Sequence, residues 1–561
     1  MPSHTLMSLF AARTEGFPDD CALRVKRSGS YEDVSWSELA ERVYEVAAGL
    51  IASGVQPGDR VGLLSENRLE WIIADYAILA VRAVTVALHA LSSASQVQTM
   101  LADCTPSLVF VSNSTQKAKV RSVRANLPGV FSLCCFEGAA GDEGAEIETL
   151  AALEERGRAL LAADPEYVRR RMKLIEPDDL AAILYTSGTT GDLKGVMLTH
   201  RNFVFTVQAR SRYITIPDIE NIENPVALLC LPLSHVYART CDLYAGLEAG
   251  RTVALAESME RALQNCRETR PHFLSSVPRL YEKMASVARP QWGAGDRDVL
   301  SRLLGGRIRY CGCGGGALGA DVARFFEEAG LPIYQGYGLT ETSPTISANS
   351  PGHNKPWTAG RPVPGIEVKI AADGEILTRG PHVMRGYWAN DGATAEVLDS
   401  EGWLRTGDLG KLDEDGFLEI LGRKKDLIIT AYGKNIAPQP IENQLCLDPL
   451  IEQAFVYGDN KPFLTALIIP AEAALQEWAG LHDLAGMSHA DLAALDAVHS
   501  LFRERIDRAQ IDSAPYERIR RFILLPDPFT MAKEEITITA KLRRHTICNH
   551  YKGVLEELYR A

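Results

Sequence analysis

The chain has no run of about 18 uninterrupted apolar residues, so the sequence predicts no membrane-spanning helix. The nearest approach, Trp71 to Leu91, is broken by Asp75, Arg82 and His89, and reads as a buried helix running into a strand over Ala83 to Leu88. A secretion signal is missing too. Arg13 and Glu15 lie too near the apolar residues of Met1 to Phe17, which read as a packed first helix, with an amphipathic helix on a membrane surface as the alternative. Regular cysteine spacing is absent: the 11 cysteines are odd in number, and only Cys134-Cys135 and Cys311-Gly-Cys313 lie close together. That pattern fits a reducing, cytoplasmic setting, and no His or further Cys stands at ligand spacing from the second pair. Basic excess is also lacking. With 59 Lys and Arg against 72 Asp and Glu, the net charge of −13 argues against nucleic acid as a main partner, while leaving room for a local basic pocket.

What remains is the composition of a globular protein, 46% apolar and 23% charged. At 561 residues the chain exceeds one hydrophobic core. From about residue 34, helical periodicity alternates with short apolar strands. Ser35 to Ser53 reads as a helix capped by Ser35 or Ser37, then come the strand Arg60 to Leu64, a helix through Trp71, a helix over Ser95 to Cys104 and a strand over Ser107 to Val111. Residues 138 to 168 read as a polar excursion containing one helix. Further strands are expected at 225–231, 250–255, 273–277, 307–310 and 331–334, with a helix opening at Pro278. Repeated strand–helix units predict a parallel sheet with helices on its faces. Several of these strands run into Gly, Pro or polar clusters, and in open α/β sheets the ligand crevice lies at the carboxyl ends of the strands. Beyond about residue 360 the texture changes to hairpins, and after Gly422-Arg-Lys-Lys-Asp426 to a small α+β region.

The stretch Tyr185-Thr-Ser-Gly-Thr-Thr-Gly-Asp-Leu-Lys-Gly195 concentrates backbone N–H groups, small hydroxyl side chains and one ammonium between two apolar strands. Such a loop suits a polyanion such as a nucleotide triphosphate, and a plain surface turn is the alternative. A Walker A loop is excluded by spacing. Leu193 precedes Lys194, Gly195 follows it, and the run Val196 to Leu198 reads as a strand, with Thr199 as a helix cap beyond it.

In this context the stretch resembles the signature loop of the adenylate-forming superfamily, which includes acyl-CoA synthetases, luciferases and peptide-synthetase adenylation domains. The family usually has proline where this chain has Leu193. Four more segments match in the family's order: Gly314-Gly-Gly316, Tyr337-Gly-Leu-Thr-Glu-Thr342, Trp403-Leu-Arg-Thr-Gly-Asp408 and Glu535-Ile-Thr-Ile-Thr-Ala-Lys-Leu-Arg-Arg544. The resemblance implies an α/β fold with a large N-terminal region of layered sheets (1–424), a β-barrel-like subdomain at about 360–424, and a small mobile α+β C-terminal domain (425–561). It implies that Thr186, Ser187, Gly188, Thr189, Thr190, Gly191 and Lys194 hold the phosphates of ATP, and that Gly314, Gly315 and Gly316 pass beside adenine. Tyr337 would stack on the base next to Gly338, Thr340 would take the α-phosphate, and Glu341, with Thr186, would hold Mg²⁺. Asp408 would accept the ribose hydroxyls with Arg423 in support. Lys541 would serve as the catalytic lysine, Lys425 as the hinge, and Gly433 with Lys434 would line the coenzyme A path. Each has a plainer reading: Glu341 as an exposed carboxylate, the glycines and Asp408 as turn residues, Lys541 as part of a solvated basic face with Arg543 and Arg544.

The chemistry so implied is attack of a carboxylate on the ATP α-phosphate, giving acyl-AMP and pyrophosphate, followed by transfer to coenzyme A. Two anions meet in the first step, so catalysis rests on position and positive field. Leu231-Pro-Leu-Ser-His-Val-Tyr-Ala-Arg239, Ser276-Val-Pro-Arg-Leu-Tyr-Glu-Lys283, Arg423-Lys-Lys-Asp426 and Tyr516-Glu-Arg-Ile-Arg-Arg-Phe522 are similar to the long-chain fatty acyl-CoA synthetase branch. On that resemblance His235, Val236 and Tyr237 border the acyl pocket, with a structural role for His235 equally open. A ligase passing its acyl-AMP to a carrier protein, a medium-chain or aryl acid ligase, and a silent nucleotide-binding regulator are the competing readings. No insertion is evident between Gly360 and Lys425 to favour the first, and the joint presence of Lys194, Glu341, Asp408, Arg423 and Lys541 opposes the last. Peripheral membrane contact and a homodimeric assembly stay open.

Overall fold

The computed structural model describes residues 4–129, 131–138, 147–187, 193–216, 219–511, 513–537 and 541–560. Two compact units divide the chain: residues 1–369, 377–406 and 413–418 form the first, and residues 370–376, 407–412 and 419–561 the second. Among the described residues no helix is long and apolar enough to cross a membrane.

The first unit holds two large sheets. One has eight strands in the spatial order Gly386–Tyr387, Leu193–Thr199, Leu180–Ser187, Val84–His89, Arg60–Ser65, Leu108–Val111, Ser132–Cys135 and Ile147–Thr149. Its strands from Leu180–Ser187 to Ile147–Thr149 pair in parallel, as the strand–helix alternation predicts. The nine-stranded sheet has a parallel centre of Thr252–Leu255, Val226–Leu229, Phe273–Ser276, Tyr310–Cys313 and Ile333–Tyr337. The central strands carry four or five consecutive buried residues, most of them apolar, because both faces are covered. Helix starts follow local chemistry. Ser35 caps Trp36–Ala52 and Thr199 caps His200–Tyr213, each closing a reciprocal capping box with the residue three positions on.

The first helix is Leu6–Gly16, whose Leu6, Met7 and Phe10 are buried in the main core. Its packed state matches the first of the two readings of Met1 to Phe17. The helix Leu69–Ala80 is buried at every position but Glu70, Asp75 included. Asp75 accepts from Thr85 Oγ1 at 2.8 Å, Tyr244 Oη at 2.6 Å and Arg239 Nε at 3.1 Å, so the charge that breaks the apolar run is balanced inside the core.

Three expectations need correction. Within 138–168, where residues 139–146 lie outside the described residues, the expected helix is present but is packed rather than an excursion. That helix, Leu150–Ala163, buries Leu150, Leu153 and Gly157 against Trp36–Ala52. A Cβ at Gly157 would stand 1.8 Å from the Glu45 carbonyl oxygen, and one at Gly49 2.3 Å from that of Leu153, so paired glycines let the two helices touch. The polar outer face of the helix disguised this in the composition. The strands expected at 307–310 and 331–334 fall instead at Tyr310–Cys313 and Ile333–Tyr337. Parallel pairing of Tyr310–Cys313 to Phe273–Ser276, and of Ile333–Tyr337 to Tyr310–Cys313, sets that register and carries each strand nearer to its glycine cluster.

The hairpin region forms a four-stranded sheet in the order Glu367–Ile370, Glu375–Arg379, Leu404–Leu412 and Leu418–Arg423. The second unit is built on Ile451–Tyr457, Leu464–Pro470 and Ile519–Leu524, the first pair antiparallel and the second parallel. Helices Pro438–Leu445 and Asp496–Ala509 share its core through Leu445, Val498, Phe502 and Ile506.

Candidate active site

In the first unit, the parallel strands place their carboxyl ends on one edge of the nine-stranded sheet. From that edge emerge Pro232–Tyr237 after Val226–Leu229, Pro278 after Phe273–Ser276, Gly314–Gly316 after Tyr310–Cys313, and Gly338–Glu341 after Ile333–Tyr337. Four separately predicted segments therefore emerge along one edge.

The strands on either side of the glycine stretch pair antiparallel. Thr186 pairs with Lys194 and Ser187 with Leu193, so Leu193 occupies a strand position. Gly188, Thr189, Thr190 and Gly191 lie outside the described residues. The hairpin's outer neighbour is Gly386–Tyr387, with Tyr387 opposite Val196. The Trp388 amide donates to the Gly195 carbonyl at 2.7 Å and the Arg385 amide to that of Met197 at 3.0 Å, which pins the segment along the lysine-bearing strand.

That segment also reaches Glu341. The Tyr387 hydroxyl donates to Glu341 Oε1 at 2.8 Å, and the Met384 amide donates to the Glu341 carbonyl at 2.8 Å. The Lys194 ammonium stands 5.1 Å from the centre of the same tyrosine ring. Tyr387 thus joins the hairpin lysine to the carboxylate assigned to the metal. Sequence reasoning missed it, because Gly386-Tyr-Trp388 has no local signature and lies 46 residues beyond Glu341.

Glu341 belongs to a single 3-10 turn, Thr340–Thr342, with Thr340 and Glu341 partly exposed at its surface. Thr342 locks the turn, accepting from the Leu339 amide at 2.8 Å and donating to the Leu339 carbonyl at 3.1 Å. Gly338 is required by close approach. A Cβ there would fall 1.8 Å from the Pro344 carbonyl oxygen. Tyr337, partly buried, ends its strand opposite Ser347 and packs beside Ile346 and Ala348.

On the other side of the same edge, His235 Nδ1 accepts from the Tyr237 amide at 3.2 Å. An amide N–H can only donate, so a neutral His235 carries its proton on Nε2. Asn67, unremarked in the sequence, holds this loop by donating to the Leu231 carbonyl at 2.7 Å and accepting from the Leu233 amide at 2.8 Å. Val236 points into the main core at 2% exposure. The Tyr237 ring covers the glycine segment: a Cβ on Gly314 would be 3.1 Å from Tyr237 Cε1 and Cζ. Gly315 has φ +80°, a conformation that suits glycine, and Gly316 borders Pro278. Burial raises the Tyr237 phenol well above its ordinary range. Cys311 and Cys313 are buried free thiols, and burial pushes Cys311 up to about 12.

The second unit holds the remaining candidates. Asp408 is 5% exposed and its Oδ1 meets Arg423 Nε at 2.9 Å. Gly407, at φ +70°, donates its amide to Glu375 at 3.0 Å, and Lys424 Nζ stands 3.0 Å from the other oxygen of Glu375. Lys425 is exposed on the turn Lys424–Asp426. Gly433 (φ +71°) and Lys434 form the exposed tip between Ile428–Ile429 and Asn435–Ile436, with the Lys434 ammonium 5.3 Å from the Tyr516 ring centre. Lys541 is exposed and bonded back to Thr537: its amide donates to Thr537 Oγ1 at 3.0 Å and its carbonyl accepts from the Thr537 amide at 2.8 Å. Its neighbour Arg544 is bound to Glu442 at 2.6 Å, and His550 meets the buried Glu535 at 3.1 Å. The anchored flanks set Lys541 apart from a uniformly solvated basic face.

Among the described residues no three His, Cys, Asp or Glu side chains cluster for a metal. One carboxylate, Glu341, linked through Tyr387 to the strand of Lys194, suits an ion that arrives with phosphates, because Mg²⁺ commonly takes one or two protein carboxylates and completes its shell with phosphate and water.

Residues 10–388 match the model of the AMP-binding enzyme family, and residues 425–561 that of the AMP-binding enzyme C-terminal domain. The chain is 36% identical to the long-chain-fatty-acid–CoA ligase FadD15 of Mycobacterium bovis, across 95% of this chain and 93% of that protein. It is 28% identical to the long-chain-fatty-acid–CoA ligase ACSBG1 of Mus musculus, across 99% and 86%. Among solved structures, the anthranilate CoA ligase AuaEII with anthranoyl-AMP superposes with a TM-score of 0.78 at 20% identity, covering 98% of both chains. The adenylation domain of a carboxylate reductase from Mycobacterium chelonae reaches the same TM-score at 24% identity, covering 100% of this chain and 92% of that one. Both superpositions speak for the fold alone.

Proposed function

This chain belongs to the AMP-binding enzyme family, and from that premise we propose that it is a long-chain fatty acid–CoA ligase. It activates the acid with ATP to acyl-AMP and pyrophosphate, then transfers the acyl group to coenzyme A. The observation that carries the reading is the junction at Tyr387, where the lysine of the phosphate-loop hairpin and the carboxylate of Glu341 meet on one ring. The 36% identity to FadD15 over nearly the whole chain supports the substrate class.

In this reading the hairpin amides, the hydroxyls of Thr186 and Ser187, and Lys194 take the β- and γ-phosphates. Tyr337 and Gly314–Gly316 sandwich adenine, with Gly338 keeping backbone clear of it. Thr340 positions the α-phosphate. The Mg²⁺ that accompanies ATP is held by Glu341, and when bound it supplies positive charge to the phosphates. Asp408 accepts the ribose hydroxyls, and Arg423 holds its carboxylate ionised and oriented. Lys541 neutralises charge between the carboxylate and the α-phosphate during adenylation. Lys425 is the hinge, and Gly433 and Lys434 border the coenzyme A path. The domain boundary falls at Lys425.

The test is a panel of short, medium, long and aryl acids with ATP and Mg²⁺, with and without coenzyme A, scored for pyrophosphate, AMP and acyl-CoA. Long-chain acids should give all three products. AMP without any thioester would point to a carrier-protein acceptor, and activity confined to aryl acids would overturn the substrate class.

A further inference from the structure

The second unit buries a carboxylate that the adenylation chemistry does not itself call for. Glu535 stands six residues before Lys541 and is 1% exposed. Its Oε2 accepts from the Thr530 amide at 3.1 Å, and its Oε1 meets His550 Nδ1 at 3.1 Å. An ionised carboxylate can only accept, so His550 carries a proton on Nδ1. His550 ends the helix Arg544–His550 and keeps a side-chain exposure of 44%, so the bond joins a buried acid to a residue at the surface. Burying a carboxylate is costly even when it is bonded, which calls for a reason to keep one here.

The backbone supplies that reason. The Arg543 amide donates to the Glu535 carbonyl at 2.8 Å, Ile536 pairs antiparallel with Leu542, and Lys541 is bonded back to Thr537. Where Glu535 is held therefore decides where Lys541 stands. The flank after the lysine has its own anchor. Arg544 binds Glu442 at 2.6 Å and the Val456 carbonyl, with its guanidinium carbon 4.5 Å from the Phe455 ring centre, which ties that flank to the strand Ile451–Tyr457. The flank before the lysine has the Glu535 side chain instead, fastened to the end of the helix that follows.

We infer that Glu535 and His550 are positioning residues for Lys541: their hydrogen bond fixes the segment from which the lysine reaches the reacting groups, and neither touches substrate. The inference rests on the role given to Lys541 in the proposed adenylation step. A lysine side chain is a point charge on a flexible stem, so its aim is set by the backbone that carries it. A misplacement of about 1 Å can cost roughly 100-fold in rate.

Fatty-acid-dependent ATP–pyrophosphate exchange reads the first half-reaction, and acyl-CoA formation from supplied acyl-AMP reads the second. Glu535→Ala should slow exchange by roughly 10- to 100-fold, in kcat rather than in KM for MgATP. His550→Leu, which fills the space without a donor, should fall in the same direction. His550→Asn, whose amide nitrogen can stand where Nδ1 stands and donate, should recover most of that loss. The second half-reaction should keep its wild-type rate in all three. Proportional loss in both half-reactions, unchanged exchange in His550→Leu, or an Asn variant no better than Leu overturns the inference. The two His550 variants alter a half-exposed side chain, so they decide the matter should Glu535→Ala fold poorly. Lys541→Ala, assayed alongside, separates the two readings. Exchange lost there but kept in Glu535→Ala and His550→Leu overturns the positioning role alone, and exchange kept in Lys541→Ala overturns the role of the lysine and the inference with it.

Discussion

Tyr387 offers the sharpest test of the site as built. Replacing it with Phe keeps the ring under Lys194 at 5.1 Å and removes only the hydroxyl that donates to Glu341 at 2.8 Å. A hydrogen bond to a charged group contributes about 1.5–3 kcal/mol when nothing replaces it. Glu341 is partly exposed, so water recovers some of that, and the expected net loss is about 1–1.5 kcal/mol, or roughly 5- to 12-fold in kcat/KM for MgATP. Tyr387→Leu also removes the cation–π contact. That adds about 0.5–1 kcal/mol at a site of this exposure, a further loss of roughly 2- to 5-fold. Fatty-acid-dependent ATP–pyrophosphate exchange isolates the first half-reaction and measures both variants at varied MgATP. The order wild type, Phe, Leu is the signature of a residue that serves two partners. Equal activity in all three, with unchanged dependence on MgATP, would refute the junction as a functional element. A common loss in both variants would assign everything to the hydroxyl and refute the part given to the ring.

Lys541→Ala should lower acyl-AMP formation by about 100-fold or more while thioester formation from supplied acyl-AMP stays largely intact, and equal loss of both half-reactions in stopped assays would contradict its assigned role. Gly338→Ala places a methyl 1.8 Å from a backbone oxygen of Pro344 that has no rotamer to escape through. Urea unfolding should show a loss of about 1–3 kcal/mol, and an unchanged midpoint would contradict the close approach. Arg239→Met leaves Asp75 buried without its cation and should cost about 3–5 kcal/mol. The double variant Asp75→Leu with Arg239→Met should recover most of it, and a double no more stable than the single would refute the pairing argument.

Local chemistry made much of this fold readable. Ser35 and Thr199 start helices because their hydroxyls cap free amides, and the buried strands announce themselves as short apolar runs. The glycine-rich turns at 314–316 and 338 show by composition where backbone must pass close to something. The errors came where packing outvoted composition. The helix Leu150–Ala163 looked like surface because its outer face is charged, and only its contact with Trp36–Ala52 gives Gly157 a purpose. The strands at Tyr310–Cys313 and Ile333–Tyr337 took their register from a neighbouring strand.

The sequence by itself determined the class of fold, the order of the motifs, the hairpin around Lys194 and the chemical types brought to the site, because capping, periodicity and turn formation act over a few residues. Tertiary structure alone decided which groups meet. Tyr387 finds Glu341 across 46 residues through the pairing of a two-residue strand with Val196–Met197, and Arg239 finds Asp75 across 164 through the burial of one helix against another. Arg210, Asp242 and Arg251, from three separate stretches of the chain, share one cavity. Such meetings depend on strand register and helix packing, which are properties of the whole core and leave no trace in any short window of sequence.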